Sequence, residues 1–206
     1  MKWLSGVSLA MTLALTASAL SAPAPDEPKD SAYYPMRDGT TWTYKAGDST
    51  FTVKVTKHEV VQGSPYNCAR FETIQEGKSI ASEDVFVKDG SVYRLRSDDK
   101  LIEPPVLVLK QPAKAGDVWN IDSKTEAKTS LKGTFTYGEE QITLAGDKDP
   151  VSAVKVHCDD LEANGARYTF TTYYAKDKGM VRQMIEAGGL KINIELEKYE
   201  PAPAPK

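Results

Sequence analysis

Apolar and polar residues alternate one by one along much of the chain between residues 40 and 200. The clearest alternating faces carry Phe51, Val53 and Val55 in one segment and Leu190, Ile192, Ile194 and Leu196 in another. The residues between them are threonine, lysine, asparagine and glutamate. Because successive side chains of a strand point to opposite faces, this period of two predicts strands with one dry face and one wetted face. Such strands are typical of antiparallel sheets.

Turns rich in glycine, aspartate and asparagine separate the alternating segments, for example at Lys88-Asp89-Gly90 and Asn164-Gly165. This spacing predicts an all-β, antiparallel fold of about 10–12 short strands. We expect the strands to form two related β-meanders that build a curved sheet, a half-barrel or a sandwich. The charged face of residues 190–197 argues against an outer-membrane barrel, because the outward face of such a barrel must be apolar.

Two segments share the pattern Pro-x-x-x-Gly-x-x-Trp, and they contain both tryptophans found after residue 22. The residues are Pro35, Gly39 and Trp42 in the first segment, and Pro112, Gly116 and Trp119 in the second. Proline restricts φ and glycine accepts a left-handed turn conformation, so each segment predicts a tight turn followed by a strand. We expect all six residues to be structural anchors, with each tryptophan buried near the start of a strand.

A second pair of similar segments follows the tryptophans. Residues 86–92 and 174–181 each combine an aromatic strand end, a Lys-Asp turn with glycine, and a new strand with valine. We therefore predict two pseudo-repeats at about residues 33–97 and 111–186, followed by a final strand at 189–198. Together they form one predicted β domain, residues 32–200.

The two ends of the chain have a different composition. Residues 1–22 combine Lys2, an uncharged apolar run and small residues at 17–22, which predicts a signal peptide cleaved within 19–22. Residues 23–31 form a predicted proline-rich linker, and residues 201–206 form a proline- and alanine-rich tail. We expect export to the periplasm or the extracellular space, with no membrane span after cleavage.

Charge and cysteine content narrow the function classes. The formal net charge is −3, and it becomes −4 when the one lysine of residues 1–22 is removed. The basic residues are mixed with acidic ones, so the chain lacks the basic surface that nucleic acid requires. Cys68 and Cys158 are the only cysteines. An even count in an exported chain predicts a disulfide between them.

No catalytic, metal-binding or cofactor-binding motif is present. The only histidines are His58 and His157, and the cysteines lack the close spacing of zinc ligands. We therefore assign no catalytic residue, no metal and no cofactor. The main alternative is a secreted hydrolase with an unrecognised carboxylate site, for which Glu83 or Asp84 beside Tyr173 and Tyr174 is the first candidate.

The first tryptophan segment carries a family resemblance. Residues 33–36, Tyr-Tyr-Pro-Met, and residues 39–44, Gly-Thr-Thr-Trp-Thr-Tyr, resemble the opening of a group of uncharacterised secreted bacterial β-rich proteins. Residues 173–181 resemble their later aromatic-Ala-x-x-x-Gly-hydrophobic-Val stretch, whereas Met36 replaces the leucine of that group. The resemblance implies an exported β-rich fold akin to the half-open barrels that carry lipid or lipoproteins in the periplasm. It implies no active site.

These observations favour a non-catalytic protein that binds or carries an apolar small molecule or acts in the cell envelope. The two alternating apolar faces, residues 51–55 and 190–196, are the candidate ligand-facing surfaces. The hydrolase and a purely structural module remain the alternatives.

Overall fold

The computed structural model describes residues 30–203 apart from residues 127 and 145. The predicted signal peptide, most of the predicted linker and residues 204–206 of the tail lie outside the described residues. No helix in the described part of the chain is long and apolar enough to cross a membrane.

The described residues form twelve antiparallel strands. In chain order they are β1 (Thr41–Ala46), β2 (Ser49–Val60), β3 (Asn67–Gln75), β4 (Lys78–Lys88), β5 (Ser91–Ser97), β6 (Lys100–Leu109), β7 (Val118–Thr125), β8 (Ser130–Ile142), β9 (Val151–Ala163), β10 (Ala166–Ala175), β11 (Gly179–Ala187) and β12 (Leu190–Glu200). Each strand pairs with the next along the chain, and β12 returns to pair with β1. The predicted all-β, antiparallel class is confirmed.

The sheet is a closed barrel, so the prediction of a half-barrel or sandwich is wrong. Residues Thr41 to Ala46 of β1 pair with residues Glu200 to Ile194 of β12, and this ladder joins the two ends of the sheet. Closure removes the unpaired edge strands that an open sheet would expose. The sequence pattern defines the two faces of each strand, and these faces are the same in an open and a closed sheet.

The barrel is weakly paired at one position in the ring. Between β6 and β7, the described pairs are only Ile102 with Thr125 and Glu103 with Lys124. Pro104 follows, and proline cannot donate a backbone hydrogen bond to the neighbouring strand. Further along, the indole Nε1 of Trp119 donates to the carbonyl oxygen of Leu107 at 3.0 Å. This side-chain bond connects β7 to β6 where the backbone ladder is missing.

The two Gly-x-x-Trp segments make corresponding backbone contacts. The Gly39 amide donates to the Val55 carbonyl on β2, and the Gly116 amide donates to the Tyr137 carbonyl on β8, both at 2.8 Å. Both glycines have φ near +90°, at 88° and 90°, which other residues rarely adopt. Trp42 and Trp119 are both buried in the main core. The internal duplication itself stays a prediction.

The predicted disulfide is wrong, because Cys68 and Cys158 are both free and buried. Cys68 is on β3 and Cys158 is on β9, which are six strands apart in a ring of twelve and so lie on opposite sides of the barrel. Cys158 packs in the main core, whereas Cys68 packs in a separate cluster with Phe86 and Leu95. Ala69, next to Cys68, lies in the main core, so the Cys68 side chain points away from the interior.

The segment ahead of β1 enters the barrel. Met36 is fully buried, and the ring of Tyr34 lies 5.4 Å from the Phe71 ring and 6.0 Å from the Tyr174 ring, measured between centroids. The Asp177 amide, in the turn between β10 and β11, donates to the Ala32 carbonyl at 2.6 Å. The segment is therefore held against the β10–β11 end of the barrel and contributes side chains to the interior.

Candidate ligand-binding cavity

The barrel interior contains a cavity of about 320 Å³. This volume is at the lower end of the range of roughly 300–1,000 Å³ that small-molecule sites occupy. Aromatic rings from four different strands form much of its wall, namely Trp42, Phe51, Phe71 and Phe170. Ring contacts hold these residues in place: Trp42 and Phe71 stack with centroids 5.9 Å apart, and the Phe51 ring lies 5.6 Å from that of Tyr44.

The two apolar faces singled out from the sequence have divided roles. Phe51, Val53 and Ile194 line the cavity. Val55 and Leu196 are buried in the core. Leu190 and Ile192 are exposed large hydrophobic residues on the same face of β12 as Ile194. Contact of any of the seven residues with a ligand stays a prediction.

Accessibility along β12 shows where the interior opens. The accessible fraction rises from 7% at Leu196 to 39% at Ile192 and 63% at Leu190. These three residues alternate on one face, so the change follows the length of the strand rather than a change of side. This face of β12 is therefore covered near Leu196 and becomes accessible toward the turn between β11 and β12.

One ion pair lies on the cavity wall. Glu83 on β4 and Arg94 on β5 both line the cavity, and Arg94 Nη2 is 2.9 Å from Glu83 Oε1. The two side chains keep 30% and 33% of their surface accessible, for Arg94 and Glu83 respectively. Among the described residues that line the cavity, these are the only charged ones.

The surroundings keep the Arg94 guanidinium charged and the nearby tyrosines neutral. Burial opposes the positive charge of Arg94, but Glu83 and two tyrosine hydroxyls together raise the pKa of the guanidinium above its ordinary value. Burial raises the pKa of Tyr34 and of Tyr174, and the Glu83 carboxylate adds to both shifts. Both phenols therefore stay protonated, with an O–H that can donate or accept.

The hydroxyl of a third tyrosine in the cavity wall, Tyr44, already has a hydrogen-bond partner. The Tyr44 hydroxyl donates to the Met180 carbonyl at 2.9 Å, which fixes the ring against β11. Burial raises the pKa of Tyr44 as well. Besides the tyrosines and the Arg94–Glu83 pair, the polar side chains of the cavity wall are Thr73 and Gln183, and the rest of the wall is mainly aromatic and aliphatic.

The hydrolase candidates fall on two sides of the sheet. Glu83 and Tyr174 line the cavity. Asp84, the neighbour of Glu83, points to the other face of β4, where two arginines pair with it. Tyr173 likewise points away from the cavity and contacts Glu140. The cavity lining as described contains one carboxylate, whereas glycoside hydrolysis by the usual route needs two.

No candidate metal centre occurs in the described part of the chain, where no group of three or more His, Cys, Asp or Glu side chains is suitably placed. His58 and His157 lie apart, on β2 and β9, and each is near an aspartate, Asp38 and Asp159 respectively.

The Arg94–Glu83 pair was not anticipated from the sequence, although Glu83 was considered as a hydrolase residue. A signal for it does exist in the chain. Glu83 falls in the same phase as Val85 on β4, and Arg94 falls in the same phase as Val92 on β5, both of which belong to the core. A charged residue in the apolar phase of each of two consecutive strands indicates an interior charge pair.

Fold and cavity together define an up-and-down, closed antiparallel barrel with an accessible interior. Two solved structures are similar to it. One is an inferred exported protein with a YmcC-like fold from Bacteroides fragilis, with a TM-score of 0.53 and 12% identity over 83% of this chain and 100% of that chain. The other is an inferred lipoprotein from Parabacteroides distasonis, with a TM-score of 0.51 and 13% identity over 84% of this chain and 100% of that chain.

At these identities the likeness concerns the fold alone. No protein-family model and no curated protein sequence matches the chain.

Proposed function

We propose that this is an exported, non-catalytic protein that binds or carries an apolar small molecule inside its barrel and acts in the cell envelope. Export is supported by the sequence features of residues 1–22 and by the names of the two similar structures, an inferred exported protein and an inferred lipoprotein. The carrier function depends on one observation, the cavity of about 320 Å³ in the barrel interior, whose wall includes Ile194 of β12.

A cavity of this size is informative because protein interiors are normally close-packed. The barrel supplies enough large side chains to fill its other regions, where the core residues of β7 to β9 are buried and do not line the cavity. The unfilled volume is next to aromatic rings and aliphatic side chains, which favour an apolar occupant. A purely structural barrel gains nothing from leaving such a volume open.

The proposal is tested by titrating the purified protein with N-phenyl-1-naphthylamine, an uncharged apolar dye that fluoresces when it leaves water. We expect saturable binding in the micromolar range. Replacing Ile194 on the cavity wall with tryptophan should weaken binding about tenfold or more, because the larger ring occupies the site.

The matched control is Val118→Trp, which adds the same ring at an exposed position of β7, outside the cavity lining. Its dye affinity should equal that of the parent protein. Absence of saturable binding by a protein with a normal circular dichroism spectrum would contradict the carrier proposal and favour the structural module.

A further inference from the structure

The polar part of the cavity carries balanced charge. Arg94 and Glu83 contribute +1 and −1, so the wall as a whole is neutral although both groups are ionic. The two side chains keep only 30% and 33% of their surface accessible, so both ions lose part of their hydration, and apolar residues of similar volume often replace a buried pair without loss of stability. The pair is therefore a costly way to complete a barrel wall, and its position in the cavity indicates a role in ligand recognition.

The guanidinium has bonding capacity left over. Arginine has five N–H donors, and among the described residues Arg94 has one acceptor, the Glu83 carboxylate. Its Nε is buried and has no hydrogen-bond partner in the described structure. Both side chains line the cavity and keep about a third of their surface accessible, at 30% for Arg94 and 33% for Glu83. Glu83 can in turn accept a hydrogen bond from a ligand, since an ionised carboxylate has about four acceptor positions.

Tyrosine hydroxyls of the cavity wall add further hydrogen-bonding groups for a ligand. Tyr34 and Tyr174 line the same cavity as Arg94 and Glu83, and burial raises the pKa of both phenols, so both remain neutral. A head group at this position thus meets a donor that is always charged, the Glu83 carboxylate as an acceptor, and the Tyr34 hydroxyl, whereas the Tyr174 hydroxyl already has a hydrogen bond with Thr172. An uncharged group with its own donor and acceptor, such as an amide or hydroxyl, can accept from Arg94 and donate to Glu83 at the same time.

A carboxylate fits this position less well. It would accept from Arg94, but it would also place a second negative charge beside Glu83 in a poorly hydrated site, where like charges repel strongly. A cationic head group would meet Arg94 with the same disadvantage. The charge balance therefore selects against both kinds of ionised ligand.

We propose that the cavity takes a small amphiphile with an apolar tail and an uncharged head group that both donates and accepts hydrogen bonds, with Glu83 as the residue that excludes acids. This inference rests on the proposed carrier function. The tail would lie along Phe51, Val53 and Ile194, and the head group would lie against the Arg94–Glu83 pair.

The test compares octanamide with octanoate at pH 7.5, each displacing N-phenyl-1-naphthylamine from the intact protein. The two probes have the same chain and nearly the same head-group shape, so they differ mainly in charge. We expect octanamide to displace the dye at a concentration at least about tenfold lower than the concentration of octanoate required. In Glu83→Gln, where the cavity carries a net positive charge, the preference should reverse toward octanoate.

Glu140→Gln is the control, because Glu140 pairs with Lys155 on the outside of the barrel and does not line the cavity. Its probe preference should match the parent protein. Octanoate binding as tightly as octanamide to the parent protein would overturn the inference and leave the carrier proposal intact, even if Glu83→Gln does not fold. If folded Glu83→Gln still prefers octanamide to octanoate as the parent protein does, the role of Glu83 in excluding acids would be overturned. Absence of dye binding would overturn both proposals.

Discussion

Trp119 offers the most direct test of how this barrel is held together. Its ring stacks on Phe135 with centroids 5.7 Å apart, and its Nε1 donates to the Leu107 carbonyl across the sparsely paired junction of β6 and β7. The side chain thus contributes both core volume and a cross-strand hydrogen bond. It does not line the cavity, so replacing it should affect stability rather than ligand binding.

Two substitutions separate these contributions. Trp119→Ala removes the whole ring from the core, and loss of a buried ring of this size lowers the free energy of unfolding by about 3–5 kcal/mol. For a domain of this size each kcal/mol lowers Tm by about 2–4 °C, so Tm should fall by roughly 6–20 °C. Trp119→Phe keeps a ring against Phe135 but loses the N–H and part of the volume, for which we expect about 1–3 kcal/mol.

The assay is urea unfolding followed by circular dichroism, with the free energy of unfolding extrapolated to water. Val118→Ala, an exposed substitution at the preceding position of β7, is the control and should stay within about 0.5 kcal/mol of the parent protein. A cost below about 1 kcal/mol for Trp119→Ala would refute the assignment of Trp119 as a core anchor.

Three further predictions concern buried groups. Burial raises the pKa of Tyr34 and Tyr174 above their ordinary value of 10.0, so the free energy of unfolding should stay constant below about pH 10 and fall above it. Tyr34→Phe should make that fall less steep, and an unchanged slope would contradict the assignment of Tyr34 as a buried phenol. A Cβ at Gly133 would lie 2.9 Å from the Cys158 Sγ, so Gly133→Ala should lower the free energy of urea unfolding by about 1–3 kcal/mol. The same substitution should cost less in a Cys158→Ala background, and equal costs in the two backgrounds would exclude that contact. Burial raises the pKa of the Cys68 thiol to about 12, so iodoacetamide at pH 8 should label Cys68 slowly in the folded protein. In urea without reductant the labelling should be fast. If labelling in urea requires a reductant, the disulfide predicted from the sequence is present after all.

Local features of this protein could be predicted from the sequence because they depend on neighbouring residues. The period of two around Phe51 and Ile194 identified strands and their apolar faces, since a strand alternates its side chains whatever it pairs with. The Gly39 and Gly116 turns were identifiable for the same reason, because the ease with which glycine adopts a positive φ is a property of the residue itself. The class of the fold and the position of these turns follow from such signals.

Tertiary structure alone decided closure, the fate of the cysteines and the content of the interior. Consecutive antiparallel strands have the same local pattern in a sandwich, a half-barrel and a barrel, and only the pairing of β1 with β12 distinguishes them. That closure places Cys68 and Cys158 on opposite sides of a twelve-strand ring. It also leaves Arg94 and Glu83 facing a cavity rather than a packed sheet. These outcomes depend on contacts between residues far apart in the chain, which a local pattern does not specify.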